Sequence, residues 1–317
     1  MKFIKKEVFP SFIKLLLKDY EVIAPVLDYI HKFKIIESPD EINLNFTNTL
    51  YPPKKFFLPH NETLFDYDKN KIKTRIKNKK RIIFGIRPCD VHSLLILDRF
   101  FEDKISDPFY ALHRKNTLIF ALNCSQGNEY CFCESLGYDK LTYGYDLLFT
   151  RLKDGFLVEI GSQKGESLTK KYFSETNKKP QKKHLCDLKL NTSKLQKLEE
   201  KFDDKKWEEE SKACLSCGAC VFTCPTCGCF TVEDFPDFDL TSGSRKRTWS
   251  TCQLKDFSKV AGNFVFREQR SRRFQHRIYH KFDYYPALYG ENMCVGCGRC
   301  IRNCPPRIDM VRILNEL

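Results

Sequence analysis

Two cysteine runs with identical spacing constrain this chain more than any other feature. The first begins at Cys214 and the second at Cys294, and each reads C-x2-C-x2-C-x3-C-P. This is the spacing of thiolates that bind bacterial iron–sulfur clusters. Zinc sites usually draw their four ligands from two CxxC pairs instead. The sequence therefore favours two [4Fe–4S] clusters over two zinc ions.

The fourth cysteine of each run is expected to serve the cluster of the other run, because paired motifs of this kind exchange that ligand. This exchange predicts two ligand sets. The first set is Cys214, Cys217, Cys220 and Cys304, and the second set is Cys294, Cys297, Cys300 and Cys224.

The length and composition indicate a chain with at least two cores. It has 317 residues, of which 42% are hydrophobic, and we expect an α/β domain with parallel strands over 1–192. A largely α-helical, ferredoxin-like dicluster domain is expected over 193–317. Lys14 and Lys18 interrupt the first apolar run, so we predict neither a signal peptide nor a membrane span. These features predict a cytoplasmic protein whose cysteines bind metal rather than form disulfides.

A βαβ unit is predicted in the first half of the chain. Apolar runs at 81–87 and 117–122 are typical of buried parallel strands. Between them, the spacing of apolar residues over 90–101 predicts a helix, with Asp90 as its cap or as a metal ligand. A hairpin is predicted over 145–160.

Four cysteines follow the strands of this unit. Cys89 and Cys124 come just after the two strand ends, and Cys131 and Cys133 follow within the next loop. Open α/β sheets bind ligands at that edge. The arrangement predicts a third [4Fe–4S] cluster on Cys89, Cys124, Cys131 and Cys133; a zinc site and buried free thiols are the alternatives.

The remaining cysteines have weaker interpretations. Residues 161–192 are polar and predict a surface linker, in which Cys186 is expected to be a free thiol. A charged helix is predicted over 193–212. Three further thiols, Cys227, Cys229 and Cys252, could bind another metal, but they are one ligand short of the usual four. Packing beside the clusters is therefore the favoured interpretation for them.

The formal net charge of +13 raises the question of nucleic acid. The basic residues are densest between Arg245 and Arg277. Cluster thiolates would offset part of the excess, and cations beside a cluster stabilise its reduced form. We therefore expect these cations to line the clusters and a partner surface, with nucleic-acid binding disfavoured.

Several stretches together resemble one family. They are Arg87-Pro-Cys-Asp90, Glu129-Tyr-Cys-Phe-Cys133 and Arg247-Thr-Trp-Ser-Thr-Cys252, combined with the two cysteine runs. Their order is similar to that in the iron–sulfur dicluster subunits of soluble redox complexes. Two branches fit: the β subunit of cytosolic sulfhydrogenase-type [NiFe] hydrogenases and the iron–sulfur subunit of anaerobic sulfite reductase.

The resemblance implies a subunit that relays electrons in a hetero-oligomeric complex. It would connect a flavoprotein that uses NAD(P)H with a catalytic subunit holding [NiFe] or sirohaem, and the hydrogenase is favoured. No P-loop, GxGxxG, nucleophile elbow or HExxH motif occurs, so we predict no catalytic residues. Two other functions remain open: a redox-sensing protein that binds nucleic acid, and a self-sufficient enzyme with an open cluster position.

Overall fold

The computed structural model describes residues 1–76, 79–179 and 186–317. The strands are β1 (Lys2–Lys5), β2 (Glu21–Asp28), β3 (Ile30–Ile35), β4 (Asn61–Asp68), β5 (Lys71–Thr74), β6 (Arg81–Ile86), β7 (Thr117–Leu122), β8 (Leu147–Arg151), β9 (Gly155–Ile160), β10 (Ser174–Glu175), β11 (Phe230–Pro236) and β12 (Gly243–Trp249). The α-helices are α1 (Phe9–Asp19), α2 (Pro88–Glu102), α3 (Pro108–Lys115), α4 (Gln163–Thr169), α5 (Thr192–Leu195), α6 (Lys206–Ser211), α7 (Ala219–Phe222), α8 (Arg270–Tyr279), α9 (Tyr285–Tyr289), α10 (Arg299–Arg302) and α11 (Met310–Glu316).

A large mixed sheet forms the first half of the molecule. Its strand order is β10-β1-β9-β8-β7-β6-β2-β3. The pairs β2–β6, β6–β7 and β7–β8 are parallel, and the outer pairs are antiparallel. The predicted βαβ unit is confirmed as β6-α2-β7, and the predicted hairpin as β8–β9. The expected α/β region with parallel strands is thus confirmed.

The two faces of this sheet carry separate cores. Ile82 and Phe84 of β6 pack with Phe12 of α1 on one face. Ile83, which points the other way because side chains alternate along a strand, packs with Leu94 of α2 on the opposite face. Both faces are therefore covered, as the continuous apolar sequence of β6 requires.

A second, four-stranded sheet has the order β11-β12-β4-β5. Strands β4 and β5 come from the first predicted domain, whereas β11 and β12 come from the second. The expectation that residues 193–317 are largely helical is therefore not confirmed. The predicted linker over 161–192 contains α4 and β10, and its residues 180–185 lie outside the described part of the chain.

The charged helix predicted over 193–212 is interrupted. The structure has α5, a 3-10 turn at Glu199–Lys201 and then α6. The carboxylate of Asp204 accepts a hydrogen bond from the backbone N–H of Lys206 at 2.9 Å. Such local side-chain bonds compete with the helical ladder, which explains the break.

Membrane insertion finds no support among the described helices. None of them combines the length and the apolar character needed to cross a bilayer.

Candidate metal centres

The two cysteine runs fold into matching loops. After Cys217, Gly218 adopts a φ of 78° and α7 begins; after Cys297, Gly298 adopts a φ of 73° and α10 begins. Glycine suits both positions because a left-handed backbone carries no penalty without a Cβ. The glycine that follows the second cysteine of each run therefore sets the turn that places the third cysteine on a short helix.

The first predicted ligand set comes together at one cavity. Its walls include the thiols of Cys214, Cys217, Cys220, Cys300 and Cys304. The apolar side chains of Phe274, Ile278 and Met310 complete the lining. Cys217 is exposed whereas Cys214, Cys220 and Cys304 are partly buried, so this site lies at the molecular surface.

The second predicted set also comes together. Cys224 from the first run lies close enough to Cys294 and Cys297 for their charges to interact. Cys300 faces Cys294 on one side and Cys220 of the first set on the other. Burial raises the pKa of the Cys294 thiol to about 12. Iron would have to displace that proton, as metals do when they bind thiols.

The third predicted set is assembled by the sheet. Cys89 is the second residue of α2, and Cys124 follows the end of β7. Cys89 and Cys124 face each other closely enough for electrostatic interaction, and both Cys131 and Cys133 have neighbours in this group. The Sγ atom of Cys131 donates to Asn128 Oδ1 at 3.2 Å.

A fifth thiol, which the sequence did not indicate, joins this third set. The Sγ atoms of Cys186 and Cys133 are 3.5 Å apart, and Cys186 is buried. The hydrogen bond with Cys133 lowers the pKa of Cys186. Cys186 has no cysteine near it in sequence, so spacing alone could not place it here.

The second and third sets share backbone contacts. The N–H of Phe132 donates to the carbonyl of Gly296 at 2.8 Å. A Cβ on Gly296 would lie 2.6 Å from the Cα of Cys133, and one on Gly298 would lie 2.3 Å from the carbonyl oxygen of Tyr130. The two cysteine loops can therefore approach this closely only because glycine stands at both positions.

A buried ion pair also fastens these two loops. Arg299 donates to both carboxylate oxygens of Asp90, at 2.6 and 2.8 Å, and both side chains are fully buried. The prediction that Asp90 caps α2 is wrong, because Arg87 occupies the N-cap position. Asp90 instead holds a residue of the second cysteine run beside Cys89.

The predicted lining of the clusters by the basic tract is confirmed only in part by the contacts. Arg277 is buried, and its Nη2 donates to the carbonyl of Cys220 at 3.0 Å. Arg247, in contrast, pairs with Glu62 and Asp107 away from these loops. Arg245 forms an exposed pair with Asp234.

The donor set fits iron–sulfur clusters. Among the described residues, no group of three or more His, Cys, Asp or Glu side chains is arranged to hold a single metal ion. Cubane thiolates bind four different irons and stand farther apart than the ligands of one ion. The buried Nε of Arg277 has no hydrogen-bond partner within the described chain, and it lies among thiols. An anionic cluster would supply the missing counter-charge.

The three weaker candidates meet at a separate place. Cys227, Cys229 and Cys252 gather beside Cys224, and the thiols of Cys229 and Cys252 are hydrogen-bonded to each other. Two buried lysines that the sequence analysis did not single out, Lys54 and Lys281, lie next to these thiols.

Comparisons with known proteins agree with this geometry. A family model described as a 4Fe-4S dicluster domain matches residues 213–308, which contain both cysteine runs. The chain is 36% identical to sulfhydrogenase 2 subunit beta of Pyrococcus furiosus over 337 aligned positions, covering 100% of this chain and 98% of the relative. No solved structure matches. The likeness extends over the whole chain, and the protein therefore belongs to the sulfhydrogenase β-subunit family.

Proposed function

We propose that this chain is the iron–sulfur electron-transfer subunit of a soluble [NiFe] hydrogenase complex. It relays electrons between a flavoprotein subunit that uses NAD(P)H and the catalytic subunit. The observation that carries this proposal is the likeness to a sulfhydrogenase β subunit over the full length of both chains. The absence of catalytic motifs from the sequence fits a relay rather than an enzyme that acts alone.

The cysteines are assigned to three [4Fe–4S] clusters. The first has Cys214, Cys217, Cys220 and Cys304; the second has Cys294, Cys297, Cys300 and Cys224; the third has Cys89, Cys124, Cys131 and Cys133. When bound, such clusters carry one electron at a time. The third cluster belongs to the domain over 1–192 and the other two to the dicluster domain over 193–317.

The positions of the thiol sets support a linear route. The first set reaches the surface at Cys217, and the neighbouring Leu215 is 65% exposed. Cys300 lies between the first and second sets. The second and third sets share the backbone contact between Phe132 and Gly296. Electrons would therefore pass from the exposed first site through the second site to the third.

The chain's own residues control charge and water along this route. Phe274, Ile278 and Met310 line the first site and limit access of water. The buried guanidinium of Arg277 lies beside Cys220 and Cys300 and offsets the negative charge of their thiolates. Nearby cations stabilise the more negative, reduced form of a cluster, so Arg277 would raise the reduction potential.

Anoxic purification from the native organism, followed by mass spectrometry of the associated proteins, tests the proposed complex. A nickel protein and a flavoprotein should copurify with this chain. A sirohaem protein in place of the nickel protein would assign the chain to an anaerobic sulfite reductase. Purification of the chain alone, with salt-dependent binding to random DNA, would favour the nucleic-acid alternative.

The third cluster is tested by iron content. Cys89→Ala should lower the iron of anoxically purified chain by about four atoms, the content of one cubane. Cys186→Ala is the matched control, because Cys186 lies at the same site but is outside the proposed ligand set. Unchanged iron in Cys89→Ala would remove the third cluster from the route, and a loss in Cys186→Ala would revise its ligands.

A further inference from the structure

Three cysteines that the proposed clusters do not use are brought together by the second sheet. Cys229 precedes β11, and Cys252 follows β12. The two strands pair with Phe230 opposite Trp249, so their ends meet. The N–H of Ser250 donates to the carbonyl of Cys229 at 3.0 Å, and the thiols of Cys229 and Cys252 are hydrogen-bonded.

Cys227 joins this pair from the loop after the first cysteine run. Its thiol is hydrogen-bonded to that of Cys224 and lies near Cys229. The loop packs tightly against the core, since a Cβ on Gly228 would lie 2.9 Å from the ring of Phe101. Cys227 is therefore held beside Cys229 by packing rather than by chance proximity.

Two buried lysines face the same thiols. The Nζ of Lys54 donates to the carbonyl of Cys227 at 2.6 Å and lies 4.3 Å from the centre of the Trp249 ring. The Nζ of Lys281 donates to Thr226 Oγ1 at 2.9 Å. Each lysine is only 2% exposed.

These two ammonium groups lack carboxylate partners within the described chain. The charged groups that act on Lys54 are thiols and Lys281, and those that act on Lys281 are thiols and Arg277. Burying an ammonium ion without a counter-charge costs several kcal/mol. Elsewhere this protein meets that requirement with a carboxylate, as Asp90 does for Arg299. Beside Lys54, the groups able to supply negative charge are Cys227, Cys229 and Cys224.

We propose that Cys227, Cys229 and Cys252 hold a fourth iron–sulfur cluster whose negative charge is balanced by Lys54 and Lys281. The ligand count rests on the proposed function, which assigns Cys224 to the second cluster. One iron of the fourth cluster then has a ligand other than a cysteine. A single zinc ion fits less well, because the described residues contain no group arranged to hold one metal ion.

Iron analysis of the full chain, purified without oxygen, tests the proposal. Wild-type protein should contain about 16 iron atoms, and Cys227→Ser/Cys252→Ser should contain about four fewer. Unchanged iron in the double variant would overturn the fourth cluster, as would stoichiometric zinc that is lost in its place.

The same analysis separates this proposal from the proposed function. If Cys89→Ala loses no iron while Cys227→Ser/Cys252→Ser still loses about four atoms, the third cluster fails and the fourth stands. If the reverse holds, the fourth cluster fails alone. The difference between each variant and the wild type is therefore the deciding quantity.

The role of Lys54 has a separate readout in the reduction potential. Removing a buried cation beside an anionic cluster disfavours its reduced state. Lys54→Met should lower the midpoint of one cluster by about 59 mV, a tenfold change for one electron, in a redox titration followed by electron paramagnetic resonance. Lys55→Met, with the same change one residue away, should leave all midpoints unchanged. Lys54→Arg should retain the wild-type midpoint.

A midpoint that is unchanged in Lys54→Met would show that no cluster lies beside this lysine. If Lys54→Met does not fold, the charge-retaining Lys54→Arg and the cysteine double variant still decide the proposal through their iron content. Retention of wild-type iron by the double variant would contradict it in that case also.

Discussion

The dicluster loops and the third thiol set solve the same problem in different ways. In the dicluster loops, three thiols of each set come from a short stretch of chain, and Gly218 or Gly298 sets the turn between them. In the third set, Cys89 and Cys124 follow different strands of the large sheet. The first arrangement depends mainly on local geometry, whereas the second depends on the packing of the whole domain. The third set should therefore be more sensitive to substitutions far from any cysteine.

The largest effect that tests this difference is expected at the buried ion pair. Asp90→Ala leaves the charge of Arg299 buried without its partner, which should cost about 3–5 kcal/mol in the free energy of unfolding. The third set should lose iron in this variant while the dicluster loops keep theirs. Chemical denaturation and iron analysis measure the two effects.

The double variant Asp90→Leu/Arg299→Met is the control for that prediction. Replacing both partners with apolar side chains removes the unpaired charge, so most of the stability should return. A double variant as unstable as Asp90→Ala would show that the charge pair is not the cause.

A smaller effect is expected where the two cysteine loops touch. Gly296→Ala places a Cβ 2.6 Å from the backbone of Cys133 at a φ of 64°. The left-handed conformation costs about 1–2 kcal/mol, and the overlap adds about 1–3 kcal/mol. Gly290→Ala is a matched control, because Gly290 has a φ of 73° but open space around its Cβ position. Equal losses of stability in both variants would contradict the contact.

The pairing of β4 with β12, which leads to Cys252, offers a pH-dependent test. Glu62 is largely buried, and burial alone would raise its pKa, but hydrogen bonds from His113 and Arg247 lower it below the ordinary 4.5. Glu62 therefore stabilises the fold above pH 4.5, and that contribution is lost as the pH falls through its lowered pKa.

Glu62→Gln should cost about 1–3 kcal/mol at neutral pH through the weakened charged hydrogen bonds. The difference from the wild type should shrink as the solution is acidified below the ordinary carboxylate range. Denaturant titrations over a series of pH values measure it, and a constant difference would show that the charge of Glu62 is not involved.

The smallest effect is expected at the start of α11. The carboxylate of Asp309 accepts the N–H groups of Val311 and Arg312 at 2.8 and 3.2 Å. Asp309→Ala should cost about 1 kcal/mol, whereas Asp309→Asn, which caps equally well, should be nearly neutral. The cap is local to the dicluster region, so neither variant should change the iron of the third set.

The sequence predicted what depends on local spacing and strand pattern. The grouping of Cys304 with Cys214 and Cys217 followed from the known exchange between paired motifs, and the βαβ unit placed Cys89 near Cys124. It could not predict Cys186 or Lys54, because their partners are distant in the chain. The interruption of the helix before Cys214 depends on one side-chain hydrogen bond to Asp204, which apolar periodicity does not report.

The second sheet was also missed, since β4 and β12 are separated by most of the chain. Arg247 reads as one member of a basic tract, yet it is buried against Glu62 and Asp107. A cation's role depends on which carboxylates the fold brings near it, and pairing across such a separation leaves no mark in the local sequence.

The close approach of Gly296 to Cys133 also bears on how the protein is made. Cys133 emerges from the ribosome well before the loop that must pack against it. During translation, the thiols of the third set therefore wait without the backbone that completes their surroundings. Cofactor insertion at that set must follow synthesis of nearly the entire polypeptide, and a cell making this protein has to keep those early thiols reduced in the meantime.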